Sequence, residues 1–173
     1  MRGYFGIGSE GLSKAHNLGV ILRTGHAFGA SFAFTIGSQL EDKDVRQTDT
    51  SGSASHLPYY RWPEFDPGRF PDACVLVGVE LTDDAVSLPS FRHPLNAAYI
   101  LGPEKGSLSQ PVQDACAHIV KIPTAFCLNV GLAAALTLYD RSILFGGHAP
   151  RPLVQRRRGH SGVKKTTGIG KNG

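Results

Sequence analysis

Residues 122–141 read IPTAFCLNVGLAAALTLYDR, and the rest of the chain is organised around them. Proline lacks a backbone N–H and disfavours helix in the residue before it, so Ile122-Pro123 predicts the end of a strand. Asn129 is a good N-cap, because its side-chain oxygen can take an unpaired N–H of a first helical turn. From Val130 onward the residues are Gly, Leu, Ala and Val, with Thr137 the only polar one before Tyr139. That composition predicts a helix apolar on almost every side, which is expected to be buried. Its small residues, Gly131, Ala133, Ala134 and Ala135, allow another segment to come very close. A capped helix just after a strand end is also a place where main-chain groups can hold a ligand.

Working outward, residues 118–122 read as the last strand and 110–116 as a short helix before it. Residues 97–101 (AAYIL) and 73–79 (ACVLVGV) are continuous apolar runs of strand length, as expected in a sheet covered on both faces. Near the start, 4–8 (YFGIG) and 31–36 (SFAFTI) predict two more strands. Between them Ser13 or Asn17 is expected to cap a helix that runs to about Phe28, with Leu18, Ile21 and Leu22 near one face. From 38 to 71 the pattern breaks down into Asp, Ser, Gly and Pro, with Tyr59, Tyr60 and Trp62 interspersed. This reads as a long loop, and loops of that length are usually functional or mobile. Strands alternating with helices predict an α/β fold, three layers α/β/α around a mainly parallel sheet.

The chain has 173 residues, 41% hydrophobic and 18% charged, which predicts one soluble globular domain with a real core. No apolar run approaches the roughly 20 residues needed to span a bilayer, and no signal-peptide pattern opens the sequence. Cys74, Cys116 and Cys127 are odd in number and form no CxxC pair, so free thiols in a reducing cytoplasm are expected. The seven histidines show no metal-ligand spacing, and no metal is expected. The net charge of +4 is uneven: after Gly147 there are seven Lys/Arg and no acid, leaving 11 basic and 14 acidic residues before it. The domain is therefore assigned to 1–147, and 148–173 is expected to be a basic, disordered tail.

Gly6, Gly8 and Gly11 spell GxGxxG between a strand and a helix, the nominal dinucleotide fingerprint. A site of that kind also needs an acid about 20 residues on, at the end of the second strand, to hold a ribose. That strand ends at Gly37-Ser38 and the first acid is Glu41, so the match is weak. Glycines in a strand-to-helix turn are the simpler reading, with a dinucleotide-dependent oxidoreductase as a minor alternative.

Three separated segments carry more. They are NLGVILR (17–23) followed by TGHAFGA, LGPEKGSLS (101–109) directly after a strand, and IPTAFCLNV (122–130). In this order they closely resemble the three motifs of the SpoU/TrmH-like RNA ribose 2′-O-methyltransferases of the SPOUT superfamily, over about residues 4–141. The resemblance implies an α/β domain whose last strand and helix thread through a loop as a C-terminal trefoil knot. Such knots are too rare for any pattern of apolar residues to predict. It further implies a homodimer, a cytoplasmic enzyme and S-adenosylmethionine bound against three loops. By motif position the cofactor residues are Val79, Glu80, Leu101, Gly102, Gly106, Ile122, Pro123, Cys127 and Leu128.

The catalytic positions that the resemblance implies are Asn17, Arg23, Glu104 and Asn129. A ribose hydroxyl is a poor nucleophile at neutral pH, so the reaction needs a proton acceptor and close alignment with the methyl donor. A guanidinium is effectively always protonated, which favours Arg23 as a bidentate grip on RNA phosphate over a base. Glu104 and Asn129 are expected to orient the ribose and fix the loop, and Asn17 to position Arg23 or the loop opposite. Taken singly, Asn17 and Asn129 read as N-caps, Arg23 as a helix-surface cation and Glu104 as a solvated turn carboxylate; only together do they point to a site. Cys127 and Gly131 stand where the family commonly has polar residues, and Cys127 reads as a small packing residue. Arg46, Arg61, Arg156, Arg157 and Arg158, with Tyr59, Tyr60 and Trp62, are candidates to track RNA and stack its bases. By analogy tRNA is the first substrate choice and rRNA the second. The competing class is a catalytically inactive SPOUT-like dimer that only binds RNA.

Overall fold

The computed structural model describes residues 3–41, 43–44 and 56–149. In chain order come β1 (Phe5–Glu10), α1 (Ala15–Phe28), β2 (Phe32–Ile36), β3 (Tyr59–Trp62), β4 (Val75–Val79) and β5 (Val86–Ser87). They are followed by β6 (Ala97–Leu101), α2 (Gln110–Ala115), β7 (His118–Lys121) and α3 (Val130–Phe145). The strands form one sheet in the order β3-β2-β1-β6-β4-β7-β5, with every neighbouring pair parallel. β1, β2 and β6 are buried along nearly their whole length, as their unbroken apolar sequences require. On one face Leu18, Ile21 and Leu22 of α1, with Ala134 and Leu138 of α3, join Ile7, Val77, Tyr99 and Leu101 of the sheet. On the other, Val112 of α2 joins Phe34, Trp62, Phe70 and Ile100. The layers are therefore helix, sheet, helix.

Residues 122–145 fold as their sequence dictates at both ends. β7 stops at Lys121, one residue before Ile122, and Asn129 is the N-cap of α3, its side-chain oxygen accepting from Gly131 N (2.9 Å) and Leu132 N (3.4 Å). At the far end the buried Arg141 guanidinium donates to the carbonyls of Pro94 and Leu95, both at 2.6 Å, and to the Tyr99 hydroxyl at 3.2 Å. It also lies 4.4 Å over the Phe5 ring. So α3 is tied down at its first and last turns.

Four expectations need correction. Residues 38–71 are not all loop, because Tyr59–Trp62 pairs with β2 as the edge strand β3. It is only four residues long, and its support comes from β2 rather than from its own pattern. Neither Ser13 nor Asn17 caps α1: the N-cap is Lys14, which uses no side chain, and Asn17 lies inside the helix. Gly6 and Gly8 belong neither to a strand-to-helix turn, the favoured reading, nor to a nucleotide loop; they lie within β1, covered by β2. A Cβ on Gly6 would stand 2.3 Å from the Phe32 ring, and one on Gly8 would stand 2.2 Å from the Phe34 carbonyl oxygen. Only Gly11, at φ 62°, makes a turn there.

The helix α3 also departs from expectation. Its small residues do face inward, Gly131 lying so close to α1 that a Cβ would meet Val20 Cγ1 at 2.6 Å. Yet Leu132, Leu136, Tyr139, Ile143 and Leu144 are 41% to 57% exposed. An apolar helix was expected to be buried on all sides, and within this chain only one side is. No described helix is long and apolar enough to cross a membrane. Arg46, Arg156, Arg157, Arg158 and the tail from residue 150 lie outside the described residues.

Candidate active site

At the carboxyl edge of the sheet Ser9, Leu101, Val79 and Val120 stand side by side in register. In an open parallel sheet, ligands bind beyond this edge where the strand order reverses. The reversal here lies between β1 and β6, since β2 and β3 continue to one side and β4, β7 and β5 to the other.

A cavity of about 190 Å³ opens beyond this edge on the β6 side of the reversal, over the ends of β6, β4 and β7. Val79, Glu80 and Leu81 form one wall, and Leu101, Gly102, Pro103, Glu104 and Gly106 another. Ile122, Thr124, Cys127 and Leu128, with Val130 and Ala133 of α3, close it. Thus eight of the nine positions carried over for a cofactor meet around one hollow. Pro123 does not line it; it sits in a turn closed by Thr124 N donating to Ile122 O at 2.8 Å. Leu81 and Ala133 lie outside the motif segments named from sequence; Pro103, Thr124 and Val130 lie within them but were not singled out, because they carry no distinctive chemistry. Leu81 and Pro103 could have been found as immediate neighbours of positions that were named.

Carboxylates hold the 102–109 loop in place. Glu10, at the end of β1, accepts from Ser109 N (2.8 Å) and Ser109 Oγ (2.6 Å). Glu80, beyond β4, accepts from Leu108 N (2.9 Å) and Leu81 N (3.0 Å). Because Glu80 leans across residue 102, a Cβ there would lie 2.7 Å from its Oε2, which explains Gly102. Gly106 has φ 93°, a conformation other residues avoid. Neither Glu10 nor Ser109 was singled out from sequence, since their link spans 99 positions.

Glu104 makes the third attachment. Its Oε2 accepts from Ser13 N (3.0 Å) and Ser13 Oγ (3.1 Å), and its Oε1 from Lys14 N and Asn17 Nδ2, both at 3.0 Å. The missing cap of α1 is thus supplied by a side chain about 90 residues away. Asn17, only 2% exposed, passes the chain on: its Oδ1 accepts from Asn129 Nδ2 at 3.0 Å. One line of hydrogen bonds therefore runs from the first N–H groups of α3 through Asn129 and Asn17 to Glu104. Burial works against ionisation of Glu104, but the bonds from Asn17, Ser13 and Lys14 outweigh it and hold the pKa below the usual carboxylate value. With four donors on its two oxygens, Glu104 is a fixed structural anion.

Arg23 is not brought to this cluster. It lies six residues beyond Asn17 on α1, about 120° away round the helix at 100° per residue, and is exposed. It sits one turn on from Val20, the residue packed against Gly131 of α3. Arg61 is on the far edge strand β3, where Nη1 donates to Leu40 O at 3.0 Å, and it does not line the cavity.

A parallel α/β domain with an apolar, carboxylate-bearing hollow beyond the carboxyl ends of β4, β6 and β7 defines a protein that binds a small organic ligand. The chain belongs to the SpoU rRNA methylase family, whose model matches residues 5–139. It is similar to a putative TrmH family tRNA/rRNA methyltransferase of Staphylococcus aureus, at 27% identity over 141 residues. That match covers 76% of this chain and 55% of the relative, so the chain spans about half the relative's length. Among solved structures it resembles the SpoU methyltransferase AviRb from Streptomyces viridochromogenes in complex with AdoMet. The TM-score is 0.70 at 26% identity, over 86% of this chain and 63% of that one. A structure concerned with 2-OH methylation of C/U34 on tRNA shares the fold, with a TM-score of 0.73 at 18% identity, over 86% of this chain and 100% of that one.

Proposed function

We propose that this chain transfers a methyl group from S-adenosylmethionine to a ribose 2′-hydroxyl in RNA, with tRNA the first candidate and rRNA the second. The observation that carries the reading is the cavity between the loops at 79–81, 101–106 and 122–130, with the Glu104–Asn17–Asn129 line of hydrogen bonds beside it. The residues fit the cofactor: Leu101, Ile122 and Leu128 offer apolar walls, Gly102 keeps main chain close to the hollow, and two carboxylates suit a cationic donor. When bound, S-adenosylmethionine supplies an electrophilic methyl on a sulfonium and leaves as a thioether. The part of the protein is to hold the loops and orient the reacting hydroxyl. Threading of 122–145 as a knot belongs to the same proposal, supported by the return of α3 to pack beside α1. Incubation with methyl-labelled S-adenosylmethionine and total RNA, followed by nucleoside mapping, should yield a labelled 2′-O-methyl nucleoside. RNA binding with no transfer of label would favour the inactive binding dimer instead.

Arg23 serves as a phosphate clamp in this reading, since it has no hydrogen-bond partner among the described residues and its guanidinium matches a phosphate in bidentate fashion. Arg23→Lys should weaken RNA binding about tenfold while turnover at saturating RNA stays within about threefold. A collapse of turnover with RNA affinity intact would place the arginine at the reacting hydroxyl.

The working unit in this proposal is a homodimer. Leu132, Leu136, Tyr139 and Ile143 recur at helical spacing on the outer face of α3, an apolar stripe on a helix whose other side is already packed. A two-fold partner presenting the same stripe would cover it and bring a second Arg23 near the seam of α1 and α3. Leu136→Glu should leave folding intact, because the residue is exposed in one chain, yet weaken association at least about a hundredfold. Sedimentation equilibrium checks this; a wild type that is already monomeric at micromolar concentration would rule the dimer out.

A further inference from the structure

We propose that Glu80 makes the cavity select a cationic ligand over its uncharged counterpart, so that the sulfonium donor is held and the thioether product is released. This rests on the reading of the cavity as an S-adenosylmethionine site. Two carboxylates, Glu80 and Glu104, line the hollow, and no Lys, Arg or His does. Among the described residues, Lys105 in the 101–106 loop and Lys121 at the end of β7 stay out of the lining, and Lys121 Nζ is engaged by the carbonyls of Thr82 (2.8 Å) and Asp83 (2.7 Å). The site is thus negative with no compensating cation in its walls.

The two acids are not equivalent. Glu104 already accepts four donors, whereas Glu80 accepts one N–H on each oxygen. A carboxylate has about four lone-pair sites, so Glu80 keeps capacity for a ligand. Its two bonds to Leu81 N and Leu108 N fix it in the hollow, and a fixed charge costs no reorganisation when the ligand arrives. S-adenosylmethionine and S-adenosylhomocysteine differ by one methyl and one positive charge. The methyl adds little to discrimination in an open cavity, but a preplaced anion separates the two by charge. Methyl transfer then removes the attraction that held the donor.

Isothermal titration tests this with three probes: S-adenosylmethionine, S-adenosylhomocysteine, and an analogue carrying an amine in place of the sulfonium. The wild type should bind both cations about tenfold or more tightly than the thioether. Glu80→Gln should bring all three within about threefold, mainly by weakening the cations. Glu80→Asp keeps the charge and should keep the preference even where its shorter reach lowers every affinity. Thermal melts of both variants verify folding. If Glu80→Gln weakens all three ligands equally, the residue acts through the adenosine ribose or the loop, and the charge-selection idea is wrong. A wild type without cation preference overturns it as well. If none of the three ligands binds, it is the cofactor reading itself that fails.

Discussion

Glu104→Ala should cost about 2–4 kcal/mol of stability and lower the proposed methyl transfer about a hundredfold or more. The substitution strips an acceptor from four donors at once. Ser13 and Lys14 are exposed and can turn their N–H groups to water, so their loss is modest. Asn17 cannot: at 2% exposure its amide would be left without an acceptor, and an orphaned buried donor costs about 1–3 kcal/mol. The damage then spreads, because Asn17 also receives Asn129, the cap of α3. Glu104→Gln keeps the shape and one acceptor oxygen, so it should fall between wild type and alanine. Acid should mimic it. The folded pKa is depressed, so the carboxylate contributes stability above its unfolded value, and that contribution is lost as pH falls through the lowered folded value. Thermal melts from neutral to acid pH should show a steeper loss in wild type than in Glu104→Gln. An unchanged melting temperature for Glu104→Ala would mean that the Asn17–Glu104 bond does not carry the stability assigned to it.

How far these features could be read in advance depended on the range of the interactions behind them. Asn129 and Pro123 act on their own neighbours, so the start of α3 and the end of β7 were legible to within a residue. The central strands were legible because burial on both faces forces an unbroken apolar run, as in Ala97–Leu101. β3 was not, because Tyr59 and Trp62 owe their strand conformation to β2 and sit among turn-forming residues. The cap of α1 comes from Glu104, and no local pattern reports a partner about 90 positions away. The exposure of Leu132 and Leu136 was invisible for another reason: an apolar helix reads the same whether its own chain or another copy covers it. Within the site, the three loops, and Glu80 and Glu104 on them, could be named from their motifs, whereas Glu10, which pins Ser109, emerged only from the geometry.

The GxGxxG stretch separates the two levels most sharply, and it predicts the largest change in stability. Gly8→Ala should leave little or no soluble folded protein, a loss of about 3 kcal/mol or more. The new methyl would stand 2.2 Å from the Phe34 carbonyl oxygen and 2.4 Å from its ring. That carbonyl belongs to the neighbouring strand, where Gly8 pairs with Phe34, and it cannot retreat without opening the ladder between β1 and β2. At Gly6 the three nearest atoms, at 2.3 to 2.7 Å, all belong to the Phe32 ring, and a side chain can be exchanged. Gly6→Ala should therefore destabilise by about 2–3 kcal/mol, and adding Phe32→Leu should restore about half of that, a coupling that exists only if the two groups touch. Urea midpoints of the single and double variants measure it. Additive losses for Gly6→Ala and Phe32→Leu, or a Gly8→Ala protein as stable as the wild type, would show that these glycines are present for some reason other than the aromatic cover of β1.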